Sequence, residues 1–263
     1  MTLPFVPPAN YNSRERDCIG VMSIPANGRG VKPPRRYDST RRRAQAAQTR
    51  QDILQAAQLL FLEGGYTGTT INDISAAARV AVETIYRGFG GKAALFKGVM
   101  EAAIAGGAAR AAIPPEERPV VRAMIAEQNP RRVLELHAAT QPGIHARAGP
   151  LYRVLMEAVA ADPEVADVWN QLEAQRLTGM RRIAEQLKNL GGMRPELSVE
   201  EAGDILWTVN SLAVYHLLVL QRAWSPERYR DWIASTNARA LLPGRRRPTP
   251  PSDRLPIHER RRD

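Results

Sequence analysis

The chain has 263 residues, is 44% hydrophobic but only 6% aromatic, and carries a formal net charge of +10. That length suits one or two domains with a full core, and the Ala-, Leu- and Arg-rich composition favours helices over strands. Cys18 is the sole cysteine, which excludes an intrachain disulfide.

The charge is concentrated at the ends. Residues 1–50 sum to +7 and residues 244–263 to +4, so the remainder is close to neutral. Basic ends on a neutral body predict polyanion contact through arms, with solubilising tails as the competing reading. The start lacks a charged segment followed by a long apolar stretch, so no secretory signal is expected and the protein is assigned to the cytoplasm. The longest uncharged run, Ile205–Gln221, contains Thr208, Asn210, Ser211 and His216. It is short for a bilayer span, so a buried or interface helix is expected and no membrane partner.

In chain order, residues 1–43 predict a disordered basic arm, rich in Pro, Gly and Arg and ending in Arg41, Arg42 and Arg43. From about Ala44 to Glu63, Ile53, Ala57, Leu60 and Phe61 form a helical stripe, and Gly64-Gly65 ends it. Thr69 or Thr70 caps a second helix through about Ala78, and Arg79-Val80-Ala81 is a turn. A third helix covers about Val82–Gly88, and Gly90-Gly91 separates it from a fourth, Lys92–Gly106. Ile71, Ile74, Ala78, Val80 and Ile85 supply the small apolar interface that a helix-turn-helix needs. The outer face of the third helix presents Val82, Glu83, Thr84, Tyr86 and Arg87. Further helices are expected at about 116–127, 130–146, 150–160, 163–190, 198–224 and 226–242, several opened by a capping side chain before proline. Residues 244–263 predict a disordered basic tail.

The stretch from Thr49-Arg50, through Ile53-Leu54, Ala56-Ala57, Leu60-Phe61, Gly65-Tyr66, Thr69-Thr70, Ile74, Ala77-Ala78, Val80, Thr84-Ile85-Tyr86 and Phe89 to Lys92 and Leu95, resembles the DNA-binding domain of TetR-family transcriptional regulators. The resemblance implies an all-α fold. A helix-turn-helix three-helix domain, residues 44–108, precedes a larger helical ligand-binding and dimerisation domain, residues 109–243. It implies a homodimeric regulator, a repressor released by a small-molecule effector, on a near-palindromic stretch of double-stranded DNA. Thr84 would approach bases, and Val82 and Glu83 would occupy base-reading positions. Tyr86, Thr70 and Lys92 would hold phosphates, and Arg41–Arg43, Arg50 and Arg87 would add charge. For Tyr86, packing on the first helix is the competing reading; for Thr84, it is an ordinary polar surface residue.

Three positions depart from the family pattern. Arg79 stands where the turn usually has Gly, Ala81 where the third helix usually has a Ser or Thr cap, and Gly88 where His is frequent. Each departure weakens the expected phosphate grip, and the arm, entering a flanking minor groove, would compensate.

In the second half, the resemblance places an effector pocket among the middle helices. Met124, His137, Tyr152, Met156, Trp169, Met180 and Trp207 are candidates, with core packing as the competing reading; Arg147, Arg153 and Arg176 could bind an anionic ligand, with solvated charge as the default. Apolarity around most of the helix from Ser198 marks Leu212, Tyr215, Leu217, Leu220, Trp224, Tyr229 and Trp232 as dimer-interface candidates.

Enzymatic readings find no support. The four histidines form no metal spacing, Gly90-Gly91-Lys92 is no phosphate-binding loop, and no Gly-x-Ser-x-Gly occurs, so no catalytic residue, metal or cofactor is assigned. A non-specific architectural DNA binder and a helical small-molecule carrier are the alternatives.

Overall fold

A computed structural model describes residues 39–244, and within them every regular element is helical. The segment before residue 39 and the basic tail after residue 244 lie outside the described residues.

Helix α1 spans Ser39–Gly68 and departs from helical geometry at Gly65, with φ 69° and ψ 174°. The expected glycine stop is therefore a kink, and a last turn follows it. The start also moves: α1 reaches back to Ser39, so Arg41–Arg43 are helical and exposed rather than part of a disordered arm. No acidic residue stands in that first turn.

Helices α2 (Ile71–Ala78), α3 (Val82–Phe89) and α4 (Lys92–Ala105) complete the reader-like half. Its core is Ile53, Ala57, Phe61, Ile74, Ile85, Leu95, Phe96 and Val99, all essentially inaccessible. Phe61, Tyr66 and Phe96 hold it through mutual ring contacts of 4.9–5.8 Å between centroids.

A short helix α5 (Ala108–Ala111) and a 3-10 turn (Pro115–Glu117) lead to α6 (Pro119–Ala126). Helix α7 then runs unbroken over Pro130–Val159. The expected break before Pro150 does not occur, although Pro142 and Pro150 each remove one ladder bond. Packing overrides that local loss: His137, Ala138, Gln141, His145, Ala148 and Leu151 are buried along the helix on either side of the prolines.

Helix α8 (Pro163–Asn189) follows the Asp162 cap, whose Oδ1 accepts from Glu164 N at 2.9 Å. The expected single helix from Ser198 divides into α9 (Val199–Val209), α10 (Leu212–Tyr215) and a π-helical turn, His216–Gln221. Ser198 and Glu201 open α9 with a reciprocal capping box, and Asn210-Ser211 interrupts it, with Ser211 capping α10. The 23-residue stretch Val199–Gln221 is apolar enough in composition to cross a membrane. It is broken in the middle, and Ala202, Leu206 and Tyr215 are packed in the protein core. Helix α11 (Pro226–Leu241) closes the fold.

The boundary expected near residue 108 does not divide the core. Leu151, Val154, Leu155, Val165, Val168 and Leu172 of α7 and α8 pack into the same apolar cluster as α1–α4. Helix α4 is central to this continuity: Leu95, Phe96 and Val99 belong to the reader core, while Ala102 and Ala103 extend the cluster toward α7.

Candidate DNA-binding interface and effector cavity

Thr70 is the cap of α2. Its backbone N–H donates to Asp73 Oδ2 at 3.0 Å, and its Oγ1 accepts from Asp73 N at 3.1 Å. Thr70 Oγ1 also donates to Asp73 Oδ2 at 2.6 Å, and this bond, with the one from the Thr70 backbone N–H, holds the Asp73 carboxyl below its usual range. The neighbouring Thr69 does something else. It is buried, with Oγ1 3.0 Å from the Leu60 carbonyl and 2.8 Å from that of Gly65, so it pins the kink of α1.

Arg79 ends α2 in the left-handed region, φ 55° and ψ 44°, as its glycine-like position implies. Ala81 then opens α3 without a side-chain cap bond. Ile85 points inward and is fully buried, which turns Glu83, Tyr86 and Arg87 outward; Tyr86 is 51% exposed. Val82 is half-buried and packs against the core, so its expected base-reading role competes with a structural one. Thr84 is also half-buried.

Two of the expected phosphate ligands have intramolecular supports. Arg50 lies with its guanidinium carbon 4.2 Å from the Phe89 ring centroid, and its Nη1 donates to the Gly88 carbonyl at 3.3 Å. Lys92, at the start of α4, sits with Nζ 4.2 Å from the Tyr66 ring centroid. Partial burial lowers its pKa. Tyr66 in turn has its hydroxyl pKa raised, chiefly by burial and then by Asp162 and Glu164. Asp162, the α8 cap, is thereby linked to the reader half; sequence reasoning missed that role because 96 positions separate the pair.

A cavity of about 510 Å³ lies between α4, α7, α8 and the α9–α10 break. Its wall includes Met100, Ile104, Gln141, His145, Trp169, Arg176 and Asn210. Of the residues expected near an effector, three border this cavity: Arg176, Met180 and Trp169. Tyr152 packs behind it, ring centroids 5.6 Å apart. Met124 is on α6, where its carbonyl accepts from Gln186 Nε2 at 2.7 Å. Met156 is 41% exposed on α7. The Trp207 ring is covered by Arg176, 4.5 Å from its centroid, and His137 is buried beside Gln141. Distance along the helix separates Met156 from the cavity: it lies about three turns, roughly 16 Å, beyond His145 on α7. The missed wall residues His145 and Asn210 gave no local signal, since polar residues read as outward without tertiary context.

Both buried histidines are held neutral. Burial lowers His137 to about 4, and burial together with Arg176 and His137 lowers His145 to about 3. His145 Nδ1 lies 3.1 Å from the Tyr229 hydroxyl. That contact corrects the interface expectation: Tyr229 is fully buried and Tyr215 nearly so, and both pack on His145 within this chain. Leu212 borders the cavity. Leu217 and Leu220, each 52% exposed, with half-exposed Trp224 and Trp232, remain at the surface.

Residues 53–99 match the family model described as bacterial regulatory proteins, tetR family. Those residues carry the pattern of the TetR-family DNA-binding segment. It is 29% identical over 175 residues, 63% of this chain and 78% of the other, to the HTH-type transcriptional repressor BepR of Brucella suis. It also resembles the structure of NalD, the secondary repressor of the MexAB-OprM multidrug efflux pump in Pseudomonas aeruginosa. That likeness has a TM-score of 0.55 and 22% identity over 74% of this chain and 97% of the other. A third similar structure is the SmeT–triclosan complex, with a TM-score of 0.57 and 18% identity, covering 74% and 92% of the two chains. At these identities the structural likeness establishes the fold, which is all-α among the described residues. The family match carries the assignment as a DNA-binding transcriptional regulator.

Proposed function

We propose that this protein is a TetR-family repressor that binds a near-palindromic operator as a homodimer and is released by a small molecule. Residues 44–108 form the DNA-reading part and residues 109–243 the effector-binding and dimerisation part. It works where the DNA is, in the cytoplasm. The supporting observation is the position of α4. Leu95, Phe96 and Val99 belong to the reader core, and Met100, Glu101 and Ile104 of the same helix line the cavity. A ligand that prefers a different cavity shape therefore moves the helix that carries the reader, and differential binding of this kind is what couples two sites.

On the DNA side, Glu83, Thr84 and Val82 face bases. Tyr86, Thr70, Lys92, Arg50 and Arg87 hold phosphates, and Arg41–Arg43 contact the flanking backbone or groove. Among the relatives, BepR and NalD are repressors, and SmeT forms a complex with triclosan. Leu217, Leu220, Trp224 and Trp232 offer the apolar surface for a second copy.

Selection of binding sites from random duplex DNA by the full chain tests the reading, followed by affinity against salt. A two-fold-symmetric consensus supports it. Recovery of no consensus with only a steep salt slope favours a non-specific architectural binder and overturns it.

A further inference from the structure

The polar groups on the cavity wall are unequally engaged. Arg176 donates from Nη2 and Nε to the Glu173 carboxylate at 2.5 and 3.2 Å, and from Nη1 to the Trp207 carbonyl at 2.5 Å. Its positive charge is thus matched by Glu173 inside the same wall. Arg118 donates from Nε to the Ile113 carbonyl at 3.1 Å. His145 is neutral and engaged with Tyr229. The wall carries two carboxylates, Glu101 and Glu173, against two guanidiniums, Arg118 and Arg176, so it has no net positive charge to favour an acid.

The two wall amides are engaged on one side only. Asn210 is 1% exposed, and its Nδ2 donates to the Leu206 carbonyl at 2.6 Å. Its Oδ1 is buried and has no hydrogen-bond partner among the described residues. Gln141 is 6% exposed and spends Nε2 on Thr140 Oγ1 at 2.9 Å and on the His137 carbonyl at 3.3 Å, which leaves its Oε1 as an acceptor. Asn210 also stands at the break between α9 and α10, outside any continuous helical ladder. The rest of the wall is largely apolar, with Trp169, Leu172, Ile144 and Met180. An unpaired buried acceptor selects a ligand that brings a donor, and a carboxylate brings only further acceptors.

We propose that this cavity takes an uncharged, ring-bearing molecule with a hydroxyl or N–H donor, received by the carbonyl oxygens of Asn210 and Gln141, and that it discriminates against acids. The inference rests on reading the cavity as the effector site and adds the chemical class of its ligand.

Three probes of one shape test it by calorimetry on the full chain: para-phenylphenol, para-methoxybiphenyl and biphenyl-para-carboxylate. The phenol should bind about tenfold tighter than the ether, which cannot donate, and the acid should bind weakest. Asn210→Ala should close most of the gap between phenol and ether. Gln141→Met, read in the same way, serves if Asn210→Ala does not fold. An ether as tight as the phenol, an acid tighter than the phenol, no binding of any probe, or a gap untouched in the folded variants overturns the proposal. Operator DNA recovered by selection separates the two layers. Phenol binding without release of DNA keeps the ligand class and removes the effector role. Release by ether and phenol alike keeps the effector role and removes the donor requirement.

Discussion

Arg147 of α7 donates from Nε to the Ala103 carbonyl of α4 at 2.8 Å, and from Nη2 to the Ile104 carbonyl at 3.3 Å. The guanidinium thus caps the C-terminal end of the helix shared by the reader core and the cavity. Both its hydrogen bonds and its charge suit the exposed carbonyls of a helix end. Arg147→Met should lower unfolding free energy by about 1 kcal/mol, the value being held down by solvent exposure of the side chain. Urea denaturation measures this. Arg147→Lys should recover only part of the loss, because an ammonium cannot reproduce the fork. A full recovery would show that charge alone matters.

Thr69→Val should cost about 1–2 kcal/mol, since the methyl replacement leaves the buried hydroxyl's contacts to Leu60 and Gly65 unmade. Thermal unfolding should register the loss, and no change in midpoint would mean that the Gly65 kink holds without it.

Arg79→Gly should leave the protein equally or more stable. The left-handed backbone at Arg79 costs a non-glycine residue about 1–2 kcal/mol, and glycine's added freedom in the unfolded chain offsets about 0.4–1 kcal/mol of the gain. Arg79→Val should destabilise, because branching at Cβ worsens the same conformation. Equal destabilisation by Gly and Val would show that the Arg79 side chain itself contributes.

His137 and His145 make stability depend on acid. Their folded values, about 4 and about 3, lie below the ordinary value of 6.5. Between roughly pH 6.5 and 4 the unfolded chain binds protons that the folded chain refuses. Stability should therefore be intact above that window and fall with acidification by up to about 1.4 kcal/mol per pH unit for each histidine. Denaturation at a series of pH values checks the slope, which should flatten in a folded His137→Gln variant.

Tyr86→Phe should weaken operator binding several-fold, on the order of 1 kcal/mol, because the half-exposed ring keeps its packing and loses only the proposed phosphate bond. The unfolding midpoint should not move. Unchanged affinity would assign Tyr86 to packing on α1 alone.

Much of the first half was legible in the sequence because its signals are local. The stripe Ile53, Ala57, Leu60 and Phe61, the Thr70 cap and the inward Ile85 each depend on spacings of a few residues, and the structure keeps them. The conformation of Arg79 was readable from its place in the turn. The second half was less legible. Pro150 reads as a helix start, yet it lies inside α7, because burial on both sides outweighs one lost hydrogen bond. Tyr229 reads as an interface aromatic, yet it is enclosed against His145.

By itself, then, the sequence determined a helical chain with a helix-turn-helix in its first half, since helical period, caps and turn residues act between near neighbours. Tertiary structure alone decided what surrounds each polar group. The link from Tyr66 to Asp162, the Arg147 cap on α4, and the acceptors of Asn210 and Gln141 at the cavity wall join residues distant in the chain or set their helical phase. Burial and hydrogen-bond satisfaction depend on which helices meet, and no local pattern encodes that.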